Sequence, residues 1–461
     1  MRAIGSSDLL AGMAILGTDV RELFGAVLPD EALVSLIDAA GFQQRERKCE
    51  ALALVRSMVI SASTGRGGRQ AEVMTNYFGT GARAVVRGSF YRWFSPALEQ
   101  VMEGVRDRAL RYARAQPLDL PGALGQVVHD WHIVDSETVK LPRALSDEYP
   151  GAGDYAALKI HKRFSVGVGT TIDYHLSPAR EHDSLHLTID ESWRGLGLLA
   201  DLGFASLQRL QDCERHDVRY VIRLKEGWKP KVVTVVRGTV AQTFVPGTDL
   251  DLLLRDEVLH LDGKVIDADV LLGPKRIAAR LVGVPTPKGY CFFLTNLEAK
   301  VAPRTVADLY RVRWEIELDN KLDKSCCRLD EITARTGAAV RAMVHASMVA
   351  SMLASLLAHH HRLRSAPPPA RGAQRTKPPI HAQAIARQMA ALAPFIARAF
   401  ELRGRQADAE WDRFAQLLNR QTDPNWRSRP SVLDQMRGWR VSPGRKKRSH
   451  AIARVAPASV P

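Results

Sequence analysis

Four side chains carry the chemistry that this sequence offers most openly: Tyr310, Arg313, Glu317 and Lys324, in the run YRVRWEIELDNKLDK. They stand at i, i+3, i+7 and i+14. At about 100° per residue on a helix, these offsets fall within one stripe roughly 60° wide. A carboxylate set among a phenol, a guanidinium and an ammonium can bind a metal ion while its neighbours grip phosphates. That is the equipment of phosphodiester chemistry. The plainer reading is a solvated polar face on which Glu317 and Lys321 form an ordinary i,i+4 pair. Glu315, two residues before Glu317, falls about 160° away and off the stripe.

The spacing Y-(2)-R-(3)-E-(6)-K resembles the signature of DDE transposases of the bacterial insertion-sequence-4 family, the Tn-five-like members among them. Every required position is filled, and Trp314 follows the motif arginine as it often does in that family. The resemblance runs from about Val127 to Arg335 and implies two further acids upstream. The first candidate is Asp135 in WHIVDSETVKLP, read as the end of an apolar strand with a small residue after it; Asp130, ahead of the apolar run, is its local competitor. The second is Asp201 in LLADLGFAS, delivered by a hydrophobic strand with a glycine two residues on. Such a D…D…E set would hold two Mg²⁺ ions roughly 3.5–4 Å apart, with Mn²⁺ able to substitute. Asp135 would bridge both ions, and Asp201 and Glu317 would each complete one site. Tyr310, Arg313 and Lys324 would hold DNA phosphates, Arg313 by a forked contact and Lys324 as a point charge. Asp319-Asn320 departs from the family, whose members often carry aromatics there.

What the resemblance implies as a whole is a cut-and-paste transposase acting on double-stranded DNA, both transposon ends and target. Such enzymes work as homodimers in a synaptic complex, cutting in trans. Some pass through a DNA hairpin with a flipped base on an aromatic side chain, for which Tyr290, Phe292 and Trp228 are all candidates. Two rival readings are a stand-alone RNase H-like nuclease and a transposase-derived DNA-binding protein that no longer cuts.

Composition agrees with a polyanionic partner. The 461 residues contain 65 Lys+Arg against 50 Asp+Glu, a formal charge of +15, which favours nucleic acid without requiring it. Cys49, Cys213, Cys291, Cys326 and Cys327 form no CxxC pair, as expected of a reduced intracellular chain. The start of the sequence lacks a secretory pattern, and the apolar run from Met343 to Ala358 is too short to span a bilayer. These features point to an intracellular protein with no membrane contact, and the resemblance implies a bacterial cytoplasmic, nucleoid-associated one. GRGG at 65–68 lacks the Lys-Ser/Thr of a phosphate loop, so no nucleotide cofactor is expected. His359-His360-His361 reads as a helix end favoured by the dipole. His182 and His186 stand at i,i+4, but nothing nearby supports zinc.

The elements that must position these residues follow from pattern. The fold class expected is α/β: an RNase H-like catalytic domain, a mixed sheet flanked by helices, with a β-rich insertion and helical N- and C-terminal regions. Residues 1–120 read as helical, with a helix starting at Ser95-Pro96, and the resemblance implies a DNA-end-binding region there. Arg66, Arg69, Arg87 and Arg92 interleave there with aromatic residues, suiting either DNA-backbone contact or a small helical core with a basic rim. Residues 121–364 read as the catalytic domain, with the β-insertion at about 228–300. A proline-rich linker at 365–380, a helical region at 381–440 with a possible role in dimerisation, and a basic disordered tail at 441–461 complete the chain. Lys321 is a further candidate DNA contact.

Overall fold

A computed structural model describes residues 15–42, 49–64, 69–225, 227–237, 265–287, 289–364, 380–420 and 431–439. Arg66, the run DLLLRDEVLHL, the linker up to 379 and the basic tail lie outside these residues.

The strands are β1 (Trp131–Leu141), β2 (Ala156–Ser165), β3 (Thr170–Pro178), β4 (Gly197–Ala200), β5 (Arg219–Arg223), β6 (Lys231–Arg237), β7 (Ile266–Leu272), β8 (Ile277–Thr286) and β9 (Gly289–Thr295). They form one nine-stranded mixed sheet in the order β3-β2-β1-β4-β5-β9-β8-β7-β6. β1, β2 and β3 form an antiparallel meander, while β4 and β5 continue from β1 in parallel. A helix, Leu207–Arg215, makes the β4–β5 crossover that a parallel pair requires. All four residues of β4 are buried, as suits a central parallel strand covered on both faces. The strand-rich stretch after 228 is continuous with this sheet: β9 pairs antiparallel with β5, and β8, β7 and β6 follow outward. The expected insertion therefore widens the sheet.

Helices cover the sheet and build a second core. In chain order they include α1 (Gly17–Val27), α2 (Asp30–Ala39), α3 (Ala51–Ser63), α4 (Gln70–Gly79), α5 (Arg87–Arg92), α6 (Pro96–Arg114), α7 (Leu207–Arg215), α8 (Pro303–Val312), α9 (Trp314–Ser325), α10 (Gly337–Arg364), α11 (Ala382–Ala391), α12 (Ala393–Glu401), α13 (Arg405–Arg420) and α14 (Val432–Met436). Helix α6 starts where Ser95-Pro96 predicts, with Ser95 Oγ accepting from Leu98 N. α10 is apolar nearly all round, the mark of a helix enclosed by others. It is long and apolar enough to cross a membrane by composition, yet 94% of its most apolar window is buried inside the fold. Helices from both ends of the chain pack on α10 in one continuous core that also takes in β2 residues Leu158 and Ile160. That core runs across the boundaries that sequence texture suggests near 120 and 381.

One local reading left open is narrowed to a helical core with a basic rim, and one changes. The aromatics interleaved with the N-terminal arginines are core: Tyr77, Phe90, Trp93 and Phe94 are buried, with the Phe90 and Trp93 rings 5.1 Å apart. Arg69, Arg87 and Arg92 are exposed around them. His359 and His361 are buried rather than exposed at the end of α10. His359 Nε2 pairs with Pro117 O at 2.8 Å, and burial pushes its pKa down to about 3, so a neutral imidazole and not a dipole-stabilised charge occupies that place.

Candidate active site

The register of two strands brings the first two candidate acids together. Trp131 pairs with Gly197 and Val134 with Ala200 in the parallel β1–β4 ladder. Asp135 and Asp201 are the next residues on each chain, so they start side by side on strands about 4.8 Å apart. Asp201 leaves β4 and opens a single turn, Leu202–Phe204, with its side chain exposed. Asp135 does not end its strand as expected. It is the fifth residue of β1, and the strand runs on to Leu141. The competitor Asp130 is a structural clamp: buried, it accepts from Trp131 N at 2.8 Å, from Gly167 N at 2.9 Å and from the Ser165 hydroxyl.

The third acid comes from the helical segment crossing this part of the sheet. Pro303 opens α8, whose Val306, Leu309 and Val312 are buried. The predicted single helix is pinched at Arg313. Arg313 N bonds to Tyr310 O and Ile316 N to Arg313 O, an i→i−3 pattern that tightens the turn before α9 begins at Trp314. The pinch gathers the signature side chains around one guanidinium. Arg313 Nη2 donates to Glu317 Oε1 at 2.8 Å, and Arg313 Cζ lies 5.8 Å from the Tyr310 ring centre. Burial opposes its charge, but Tyr310, Asp201 and Glu317 together hold its pKa above the usual value. The same guanidinium acts on Asp135, whose carboxyl burial nevertheless pushes above the ordinary range. Arg313 thus interacts electrostatically with all three acids. Burial likewise raises the Tyr310 phenol. Glu315 points elsewhere, toward Ser431 and Asp434 near α14.

Beneath these residues lies a buried ionic network that sequence reasoning missed. Lys162, on β2 opposite Asp135 in register, is completely enclosed. Its Nζ lies 2.8 Å from Glu137 Oε1 and 3.7 Å from Asp319 Oδ2, and it also contacts Asp323. Burial alone would depress the ammonium; the carboxylates of Asp323, Glu137 and Asp319 reverse that and hold it charged. Asn320 links this network to the site. Its Oδ1 accepts from Lys162 Nζ at 2.9 Å, and its Nδ2 donates to Asp135 Oδ2 at 3.1 Å. Two signals in the sequence pointed here. Asn320 shares the stripe of Arg313 and Glu317, at i+7 and i+3 from them. Lys162 occupies the inward face of a strand whose alternate residues Leu158 and Ile160 are core.

Lys324 stands apart from the other signature residues, 3.6 Å from Glu137 Oε2 with its side chain 38% exposed. Lys321 is exposed on α9. Arg87 stacks on Tyr91 and Arg92 donates to Ser89 Oγ, both at the surface of the N-terminal helices.

Comparison with known proteins gives a match over the part of the chain that carries this geometry. Residues 129–353 match the transposase DDE domain. That domain opens just ahead of β1 and closes within α10, so Asp135, Lys162, Asp201, Tyr310, Arg313, Glu317, Asn320 and Lys324 all lie inside it. Transposases for the insertion sequence elements IS231D, from Bacillus thuringiensis subsp. finitimus, and IS231C, from Bacillus thuringiensis subsp. berliner, are similar at 22% identity each. The alignments cover 43% and 42% of this chain, and 50% and 49% of those proteins. The chain therefore spans about half the length of the curated relatives it matches. Among solved structures, a piggyBac transposase synaptic complex with hairpin DNA is similar over 88% of this chain and 86% of that one, at 9% identity and a TM-score of 0.44.

Proposed function

We propose that this chain is the DNA transposase of an insertion sequence, with an RNase H-like catalytic core of the insertion-sequence-4 type. It would bind terminal inverted repeats and catalyse DNA cleavage and strand transfer. The observation that carries this reading is the β1–β4 register, which sets Asp135 beside Asp201 within reach of the guanidinium that holds Glu317.

The donor set fits divalent cations. Three carboxylates offer hard oxygens, and burial disfavours the charge on Asp135, a cost that a bound cation offsets. Asp135, Asp201 and Glu317 would hold two such ions, Mg²⁺ or Mn²⁺. When bound, these supply charge stabilisation to the entering and leaving oxygens of a phosphodiester. The chain's own residues orient the DNA. Arg313 and Tyr310 face the phosphates beside the acids, and Lys324 is exposed enough to leave Glu137 for a backbone phosphate. Arg66, Arg69, Arg87, Arg92 and Lys321 are the proposed contacts further along the duplex, in keeping with the net charge of +15. The helical region before 120 would bind the ends. The region after 381 would support a homodimer that pairs two of them.

The test is cleavage of a plasmid carrying the DNA that flanks the gene, by the full chain in Mg²⁺. The wild-type protein is expected to cut at the ends. Glu317→Gln should bind the same DNA but cut more than about a hundredfold more slowly, the scale on which losing one transition-state charge contact acts. Binding without cutting by the wild-type protein would favour a transposase-derived DNA-binding protein. Cutting unaffected by the substitution would remove Glu317 from the site.

A further inference from the structure

On the other face of the same sheet, three histidines far apart in sequence meet. His161 of β2 and His175 of β3 are directly opposed in the antiparallel ladder, so their side chains project from one face as neighbours. His186 comes from the short turn Asp183–His186 and lies over them. Its ring centre is 3.8 Å from that of His161 and 4.8 Å from that of His175. Among the described residues, these three form a group in which one donor atom from each lies within 4.8 Å of the others.

Alternation along β2 sends His161 and Lys162 to opposite faces, although Asp135 lines the same cavity as the three histidines. Lys162 turns toward α9 and the Asp135 network, so its neighbour His161 turns away, level with Ser136 of β1. The rings are only partly partnered, and His186 Nε2 already lies 2.8 Å from Glu181 Oε2. His161 is 5% exposed and its Nδ1 makes no hydrogen bond, although its Nε2 pairs with Ser177 Oγ at 2.9 Å. His175 Nε2 and His186 Nδ1 are 2.8 Å apart, so one proton serves two nitrogens. Burial and the two neighbouring imidazoles push His161 down to about 3, which leaves it a neutral donor. Asp183 Oδ1 stands 4.0 Å from His161 Nδ1.

We propose that His161, His175 and His186 form a structural site for a zinc-class divalent cation, with Asp183 as a candidate fourth ligand. Three imidazoles and one carboxylate suit Zn²⁺, which takes four nitrogen, sulfur or oxygen donors in a tetrahedron. They do not suit Mg²⁺, which prefers oxygen. The ion would replace the proton shared by His175 and His186 and would give His161 Nδ1 a partner. It would fasten the β3–β4 connection, which leads to Asp201, to the strand that carries Lys162. The proposal does not depend on DNA cleavage.

The test uses untagged full-length protein, stripped with chelator and titrated with Co²⁺ and then Zn²⁺ in millimolar Mg²⁺. One equivalent of Co²⁺ should give visible d–d absorption of a four-coordinate site, displaced by Zn²⁺ and not by Mg²⁺. His175→Ala and His186→Ala alter exposed or half-exposed positions and leave the buried His161 in place. Each should weaken Zn²⁺ binding at least about tenfold and abolish the rise in melting temperature that Zn²⁺ gives the wild-type chain. Glu317→Gln should leave Zn²⁺ binding unchanged. Absence of the Co²⁺ band in the wild-type protein, or equal Zn²⁺ affinity in both histidine variants, overturns the proposal.

Discussion

Asn320 is the side chain through which the buried network reaches Asp135. It accepts from Lys162 on one side and donates to Asp135 on the other, so its amide orientation is fixed by a cation that cannot leave. Burial raises the Asp135 pKa, and the Asn320 N–H works against that rise by favouring the charged form. Asn320→Ala removes this donor. The Asp135 pKa then climbs further, and because a carboxylate takes a cation only when deprotonated, the acid limb of the cleavage profile moves to higher pH. The Mg²⁺ concentration for half-maximal rate should rise about 10–100-fold, the usual effect of removing a group that orients a metal ligand. Cleavage rates across pH and Mg²⁺ concentration check this. If both stay at wild-type values, Asn320 merely packs.

The acids are positioned by elements, and β1 and β4 make a close join beside two of them. A Cβ on Gly197 would lie 2.3 Å from Trp131 Cε3, so only glycine lets β4 approach the Trp131 ring at that point. Asp135 and Asp201 both lie four residues beyond this pair. Gly197→Ala should cost about 1–3 kcal/mol by overpacking, read from urea unfolding. It should also lower cleavage more than stability alone accounts for, because β4 carries Asp201 away from Asp135. Cleavage at the wild-type rate in the folded variant would mean that this approach does not set the site.

The same join marks what a sequence can and cannot reveal. The YRVRWEIELDNK signature was legible because its spacing is local to one helical segment, as were the apolar strand before Asp201 and the Ser95-Pro96 helix start. The pinch at Arg313 was not, since nothing in the side-chain types there breaks a helix. Asp135 reads as a strand end because the apolar run stops there and a small residue follows, whereas Ser136 and Glu137 continue the strand and Glu137 finds its partner in a buried lysine. The histidine cluster is non-local. The visible i,i+4 pair of His182 and His186 misleads, because cross-strand register and a turn select His186 with His161 and His175 instead.

At the scale of the whole molecule, the two ends of the chain share one core around α10, and that core encloses imidazoles that must stay neutral. His345 Nδ1 shares a hydrogen bond with Tyr174 Oη at 2.8 Å, and His359 Nε2 donates one to Pro117 O. Burial, the largest cause in each case, pushes both down to about 3. The sign of the linkage follows. Below the unfolded histidine value of about 6.5 the unfolded chain takes up protons that the native chain refuses, so stability is present at neutral pH and falls as pH falls. At pH 5 each histidine should have withdrawn about 2 kcal/mol, a large share of a typical margin of about 5–15 kcal/mol. Glu137 and Asp319, raised by burial, act in the opposite direction over the same range, so the wild-type curve alone does not isolate the effect. Comparison with His359→Gln does, since a glutamine amide can still donate to Pro117 O but does not titrate. The difference in unfolding free energy between variant and wild-type protein should move in the variant's favour by about 2 kcal/mol between pH 7 and pH 5. A difference that stays constant with pH would mean that His359 is protonated in the native core, contrary to the enclosed environment in which α10 holds it.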